Sequence, residues 1–318
     1  MSVKRDSSKN SESGGKNSES IIPVPSEVAE IIKRSLSSNY TFNFGLYFNK
    51  WLWVSKDDNC VLDYKFQAEP ALKSSRSRHE KHQADEVLDY YKKIRNTLNS
   101  ILTSKLEERE KLCEAFKKIG YSVYRFKVKL ETPLIIGLGN AHPTERGFTF
   151  HWTLGIPYVP AESVKGIVKL AYLVNKTKGD EGFFNHWAEE DKEYLKALKG
   201  LFGCSESKDE AAVKGKVIFL DAMPVSVPEL GLEVTTCHYP DYYSAKRGPT
   251  EDQNPIPLPF LAVMANEKTF FDFTFLLSDS LSSEERKQLE NAFISAISEH
   301  GFGAKTALGH GRFSCDIS

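Results

Sequence analysis

The chain has 318 residues, 40% of them hydrophobic and 27% charged, which is globular composition with enough apolar side chain for a sizeable core and room for one large domain or two ordinary ones. Collagen-like repeats, wholesale disorder and a membrane-embedded chain are excluded. Lysine plus arginine (42) balance aspartate plus glutamate (43), so no global basic field advertises nucleic acid, and any RNA or DNA site has to be local.

Residues 1 to 20 are rich in Ser, Asn, Lys and Gly and hold almost no apolar side chains, a composition that predicts a disordered tail. The tail also lacks the apolar stretch of a signal peptide, and no run of about 18 apolar residues follows anywhere in the chain; the protein is expected in the cytoplasm, with no membrane partner. An amphipathic helix is predicted from Ser26 to Ser38, then an aromatic, strand-like segment from Asn39 to Val54. Lys73, Arg76, Arg78, His79, Lys81 and His82 form a basic cluster that would suit phosphate, with a solvated face as the plainer reading. Val87, Tyr91, Ile94, Leu98, Ile101 and Leu102 recur at helical spacing, and Leu106, Leu112, Phe116 and Ile119 carry the period to Gly120, a C-cap. Residues 21–120 therefore read as a mainly helical N-terminal region.

After Gly120 the period becomes two: Tyr124, Phe126, Val128 and Leu130 point one way, and Arg125, Lys127 and Lys129 the other. The basic side of this strand suits either an RNA-facing sheet surface or ordinary solvent. Past Gly137-Leu138-Gly139 and Pro157, a helix opens near Pro160, with Val164, Ile167, Val168 and Ala171 as its apolar stripe and Lys165, Lys169 and Tyr172 on another face. Gly166 inside that helix costs about 1 kcal/mol relative to Ala, which a close backbone contact would explain. Residues 180–203 read as a helical insertion, Lys216–Leu220 as a second strand and Phe271–Leu277 as a third. Between the last two lies a Pro- and Tyr-rich excursion, 223–259, too long for a plain hairpin turn. A final helix opens with a capping box, Ser282 and Glu285, and stacks Leu289, Phe293 and Ile297; a closing strand runs from Arg312 to Ile317. From residue 121 the order is strand, helix, strand, strand, helix, strand, so the fold class is α+β, with a ferredoxin-like (RRM-like) βαββαβ core over 121–318 and long inserted loops.

Three segments have chemical potential. Gly301-Phe302-Gly303-Ala304-Lys305-Thr306-Ala307-Leu308-Gly309-His310-Gly311-Arg312 combines four glycines, cations and a threonine. Glycines permit positive φ and close backbone approach, and clustered N–H groups make anion nests, so Gly301, Gly303, Lys305, Thr306, Gly309, His310, Gly311 and Arg312 are candidate RNA-phosphate contacts, with a connector packed tightly for its own sake as the bland alternative. A nucleotide-binding P-loop is rejected, because Ala304 stands where that motif needs Gly and the loop runs from helix to strand. Lys165 and Lys169 on the first core helix are further candidates. So are Lys246 and Arg247, which lie in the excursion beside Tyr239, Tyr242 and Tyr243, rings able to stack on bases. Eight histidines and five cysteines show no ligand spacing and no C-x-x-C pair, so no metal and no other cofactor is predicted. His142, His151 and His310 would suit a general base towards a 2′-hydroxyl, or a hydrogen-bonding or stacking group.

The terminal Gly-rich loop, the helix start Pro160-x-x-Ser163-x-Lys165-Gly166 and the element order together resemble the RAMP superfamily of CRISPR-associated RNA-binding proteins. Gly137-Leu138-Gly139 with His142, Pro143 and Glu145, Ile156–Pro160, Leu201-Phe202-Gly203, Phe219–Pro224, His238 with Tyr242-Tyr243, Pro255-Ile256-Pro257 and Phe260-Leu261 are similar to the family of sixth Cmr subunits in type III-B effector complexes. The chain departs from that pattern at Ala161-Glu162, where Gly-Ser is usual, and at Cys237, where Pro is usual. The resemblance implies a non-catalytic subunit of an RNA-targeting complex, near the 3′ end of the guide RNA, whose partners are guide and target RNA and other RAMP subunits. Target cleavage in the family uses an acidic residue in the loop after the first strand; residues 137–160 offer Glu145 and no Asp, so cleavage is not assigned. The alternatives are a metal-independent endoribonuclease that processes guide precursors and a protein-interaction cap with negligible RNA contact.

Overall fold

The computed structural model describes residues 19–21, 24–37, 42–52, 54–56, 62–63, 83–142, 146–177, 192–205 and 211–315. Most of the tail, the basic cluster at 73–82 and the first part of the insertion at 180–203 lie outside these residues. In chain order the elements are β1 (Glu19–Ile21), α1 (Ser26–Ser37), α2 (Phe44–Lys50), β2 (Val54–Lys56), β3 (Leu62–Asp63), α3 (Gln83–Lys117), β4 (Tyr121–Leu130), α4 (Ala161–Thr177), α5 (Lys192–Phe202), β5 (Val217–Phe219), β6 (Met223–Pro224), β7 (Leu230–Cys237), α6 (Pro240–Tyr243), β8 (Ile256–Val263), β9 (Phe270–Ser278), α7 (Ser283–Ser295) and β10 (Phe313–Ser314). The protein is mixed α+β with antiparallel sheets.

The main sheet runs β10-β4-β9-β5, with β6 also paired to β9, and every pairing in it is antiparallel. Its long register sets Phe126 opposite Phe273, Tyr124 opposite Phe275 and Val128 opposite Phe271. The period-two reading of β4 therefore holds: one row of side chains faces α4 and α7, where the Phe293 ring lies 4.5 Å from Phe126, 5.3 Å from Phe273 and 5.0 Å from Phe275. The capping box of α7 is present, with Ser282 Oγ accepting from the Glu285 N–H and the Glu285 carboxylate from the Ser282 N–H.

On the opposite row Arg125 is paired with Glu110 of α3 and lies 3.5 Å from Asp272. The α3 helix thus covers part of the sheet face that its basic residues would have offered to RNA. Lys129 is likewise engaged by Glu267 at 2.9 Å, and Lys127 lies over the Phe270 ring.

Three local readings are corrected. The strand-like segment 39–54 contains a helix, α2: Asn43 Oδ1 accepts from the Leu46 N–H at 2.9 Å, and Phe44, Tyr47 and Phe48 fall on one buried face against Tyr90 and Tyr91 of α3. Gly166 meets no close backbone; a Cβ there would enter open space. Tyr172 leaves the face of Lys165 and Lys169 and is buried, its hydroxyl bonded to Gln288 of α7 at 3.1 Å. The excursion resolves into an antiparallel ribbon, β7 with β8, from Leu230 opposite Val263 to Cys237 opposite Ile256, with α6 at its tip. One hydrophobic cluster runs from Phe44 through the sheet to Phe313, so the helical N-terminal part and the sheet share a core.

Candidate nucleic-acid interface

The Gly-rich loop leaves α7 through a π-helical turn, Ala296–His300, and Gly301 turns out of it at φ +74°. Phe302 is fully buried against Phe273 and Phe313, and its N–H donates to Gly311 O at 2.9 Å, closing the base of the loop. Gly303, Gly309 and Gly311 also take positive φ, as the sequence reading expects. The backbone donors behave differently. The Ala304 N–H bonds Ile135 O at 2.7 Å, the Gly311 N–H bonds Pro133 O at 2.9 Å, the Gly309 N–H bonds Thr306 O at 2.9 Å, and the Arg312 N–H bonds Thr132 Oγ1 at 2.9 Å. These four groups are spent inside the protein.

Thr132 organises this arrangement, since its hydroxyl also donates to Gly309 O at 2.7 Å. Sequence reasoning missed it because a threonine after a strand has no pattern of its own. The residues Thr132 to Ile135 are what the loop packs on, and the contacts span most of the core's length in sequence.

Lys305 is a non-glycine residue in the left-handed region, at φ +59°. Its ammonium reaches the ribbon, 3.2 Å from Thr235 Oγ1 and over the Phe260 ring at 5.6 Å. The Arg312 guanidinium bonds two carbonyls, Thr306 O at 3.3 Å and Ser298 O at 3.5 Å. Among the described residues no carboxylate pairs with Lys305, Arg312, Lys165 or Lys169, whereas Arg247 is held by Asp241 at 3.1 Å and Asp252 at 2.8 Å. The structure thus gathers Gly301, Gly303, Lys305, Thr306, Gly309, His310, Gly311 and Arg312 in one loop. Lys165 and Lys169 stand on α4, and Lys246 and Arg247 at the ribbon tip, where Tyr242 and Tyr243 are exposed. Sequence reasoning also missed Asp221, whose carboxylate accepts from the Ala161 N–H at 2.8 Å and caps α4.

Of the histidines, His142 stacks on Phe48 at 4.5 Å and its Nε2 lies 2.9 Å from Phe48 O. A carbonyl only accepts, so Nε2 carries the proton. Burial lowers the pKa of His142 below its ordinary 6.5, and burial does the same to His151, whose ring packs on Tyr158. A lowered histidine pKa favours the neutral ring in the fold, so its contribution is fully present above the ordinary value and lost as pH falls towards the folded one. Stability measured by denaturant titration is expected to fall between about pH 7 and pH 5, and His142→Phe, which keeps a ring on Phe48, should flatten that limb. An unchanged limb in the variant would remove His142 from it. Among the described residues no group of His, Cys, Asp or Glu is arranged to hold a metal ion, and no helix is long and apolar enough to cross a membrane.

An antiparallel α+β core with a local cationic loop and no global basic charge is the class of protein that the fold defines. The model of the RAMP superfamily matches residues 127–314, and the chain belongs to that superfamily. It is 26% identical over 286 residues to the CRISPR system Cmr subunit Cmr6 of Pyrococcus furiosus, covering 70% of this chain and 80% of that protein. It is 25% identical over 207 residues to the Cmr6 subunit of Saccharolobus solfataricus, covering 64% of this chain and 62% of that protein. Solved structures similar to it include a type III-B Cmr-beta complex bound to cognate target RNA (TM-score 0.49, 18% identity, 74% of this chain and 76% of that one) and the crystal structure of Cmr6 from Pyrococcus furiosus (TM-score 0.36, 23% identity, 62% and 98%).

Proposed function

We propose that the chain is a non-catalytic RNA-binding subunit of a type III-B CRISPR effector complex in the cytoplasm, filling the place of the sixth Cmr subunit near the 3′ end of the guide RNA, beside other RAMP subunits and the guide–target duplex. Two curated relatives carry that subunit name. The core is a split βαβ unit of ferredoxin-like type: counting β4, β5, β9 and β10 as its strands, the sheet order fourth-first-third-second is what two such units produce when their helices share one face. The observation that carries the RNA reading is the pair of cations in the terminal loop. Lys305 is kept in a backbone conformation that ordinary residues avoid, at a cost of about 1 to 3 kcal/mol, and neither it nor Arg312 is neutralised by a described carboxylate. Phosphate is the group that would compensate both.

The test is the salt dependence of binding to a single-stranded RNA. Lys305→Ala with Arg312→Ala should weaken binding alike for all sequences and flatten the slope of log affinity against log salt by up to about one unit per lost contact. An unchanged slope with both cations gone would remove the loop from the interface. Cleavage of a repeat RNA by the isolated chain without metal would instead establish the endoribonuclease.

A further inference from the structure

The ribbon of β7 and β8 is a two-stranded sheet with no third strand among the described residues, a form that is marginal on its own in water. Its two edges differ. Leu134 and Val263 exchange both N–H···O bonds at 2.9 Å, so Val263 turns its polar backbone groups away from β7, and the antiparallel ladder alternates from there. Along β8 the outward positions are therefore Val263, Leu261, Pro259 and Pro257, opposite Leu230, Leu232, Val234 and Thr236 of β7. The two prolines have no N–H to offer, and Pro259 O accepts from the Arg146 guanidinium at 3.3 Å. That edge is closed to a further strand. On β7 the same alternation turns the N–H and C=O of Leu232, Val234 and Thr236 outward, and none of these groups has a partner among the described residues. The stretch holds no proline, lysine or bulge, Val234-Thr235-Thr236 is β-branched throughout, and Val234 is 54% exposed. An edge of this kind is a template for another extended chain.

We propose that the outer edge of β7, from Leu232 to Thr236, takes an extended segment of a partner protein as a third strand. A polypeptide backbone is the occupant because it offers donors and acceptors together at the two-residue repeat of the edge, about 7 Å. The side chains then specify the segment. Glu233 directs its backbone groups towards Phe260 of β8, so to an incoming strand it presents a non-hydrogen-bonded position, where cross-strand side chains come closest. Among the described residues no cation pairs with the Glu233 carboxylate, and a lysine or arginine opposite it supplies the missing charge. Leu232 and Val234 lie on the other face of the ribbon, where β-branched residues of the partner extend the apolar row. The partner segment thus alternates β-branched with polar side chains and has a basic residue among the polar ones. The inference does not rest on the RNA reading: Lys305 touches a face of the ribbon, at Thr235 and Phe260, and not its edge.

The experiment titrates the full chain into a fluorescent heptapeptide with blocked ends, TVTVKVT, and follows anisotropy. Saturable binding is expected, and N-methylation of the peptide reads its geometry. Methyl groups on the valine nitrogens, which face β7, should weaken binding at least tenfold. Methyl groups on the lysine and central threonine nitrogens face away and should leave it unchanged. Val234→Pro should also weaken binding at least tenfold, since it removes an outward N–H and spares the ladder to β8, as Pro257 and Pro259 do on the other strand; its melting temperature is expected to stay near that of the wild type. If that variant does not fold, Glu233→Lys serves: it should reverse the preference, binding TVTVEVT more tightly than TVTVKVT. No binding by the wild type, equal binding of the two methylated peptides, or an unreversed preference in Glu233→Lys overturns the proposal. So does displacement of the peptide by single-stranded RNA, or a wild-type dimer that Val234→Pro converts to monomer, which would give the edge to a second copy of the chain. Lys305→Ala with Arg312→Ala should leave peptide binding intact, so failure of the loop assignment and failure of the edge assignment are read separately.

Discussion

Gly311→Ala is expected to cost roughly 2 to 5 kcal/mol of folding stability, combining the left-handed penalty of about 1 to 2 kcal/mol with an overpacking term of about 1 to 3 kcal/mol. Gly311 sits at φ +69°, and a Cβ there would lie 1.9 Å from Phe302 O, the carbonyl across the base of the loop. Gly303→Ala belongs with it, because its Cβ would lie 2.1 Å from Ile135 O at φ +91°. Gly309 provides the internal control: it has the same backbone sense, φ +92°, but nothing within 4 Å, so Gly309→Ala should lose only the conformational part, about 1 to 2 kcal/mol. Urea unfolding of the three variants measures the differences, and equal losses would mean that the loop is held less closely than its contacts imply. Because Gly303 and Gly311 set the base from which Lys305 and Arg312 project, their variants should also weaken RNA binding at temperatures where the remainder of the chain is folded, more than Gly309→Ala does.

Phe273→Ala should be among the most damaging single truncations of the core, at about 3 to 5 kcal/mol. The side chain is fully buried and its ring meets those of Phe293, Phe302 and Phe313 at 5.3, 5.0 and 5.5 Å, so the truncation opens a cavity between the sheet, α7 and the loop together. Phe48→Ala, at an equally buried position in α2, should destabilise to a similar extent without touching the loop. Denaturant curves compare the two. Their RNA affinities, taken well below both melting temperatures, are expected to part: reduced for Phe273→Ala through the loosened Phe302, and close to wild type for Phe48→Ala. Matching affinities would show that the loop keeps its shape without that ring.

The elements legible in the chain are those whose signals are local. The alternation of Tyr124, Phe126, Val128 and Leu130 marks β4 because strand side chains alternate faces. Ser282 with Glu285 marks the start of α7 because both halves of the capping box lie within one turn. Gly301, Gly303, Gly309 and Gly311 mark a loop with left-handed backbone because glycine alone enters that region freely. The candidate loop cations were legible for the same reason, as neighbours of those glycines. Where the signal was double-edged, packing decided. Phe44, Tyr47, Phe48 and Trp51 fit a helical period as well as an aromatic strand, and Asn43 and the rings of Tyr90 and Tyr91 settle it as α2. Pro257 and Pro259 obscure β8, although a two-stranded ribbon leaves it a free edge on which proline is tolerated.

Charge was the least legible property. Arg125, Lys127, Lys129 and Arg247 look like available cations in the sequence, yet Glu110, Asp272, Glu267, Asp241 and Asp252 take three of them and the Phe270 ring lies under Lys127. Arg109 looks like one more solvated residue of a long helix and is instead buried without a bond. The amino-acid sequence by itself thus determined the strands and helices with a clear local period, such as β4 and α7, the turn-forming glycines and the family pattern, because backbone propensity and periodicity act between residues a few positions apart. Only the tertiary structure decided which cations are neutralised and which backbone donors are spent, because Coulomb energy and desolvation depend on distance in space between residues that the chain holds far apart.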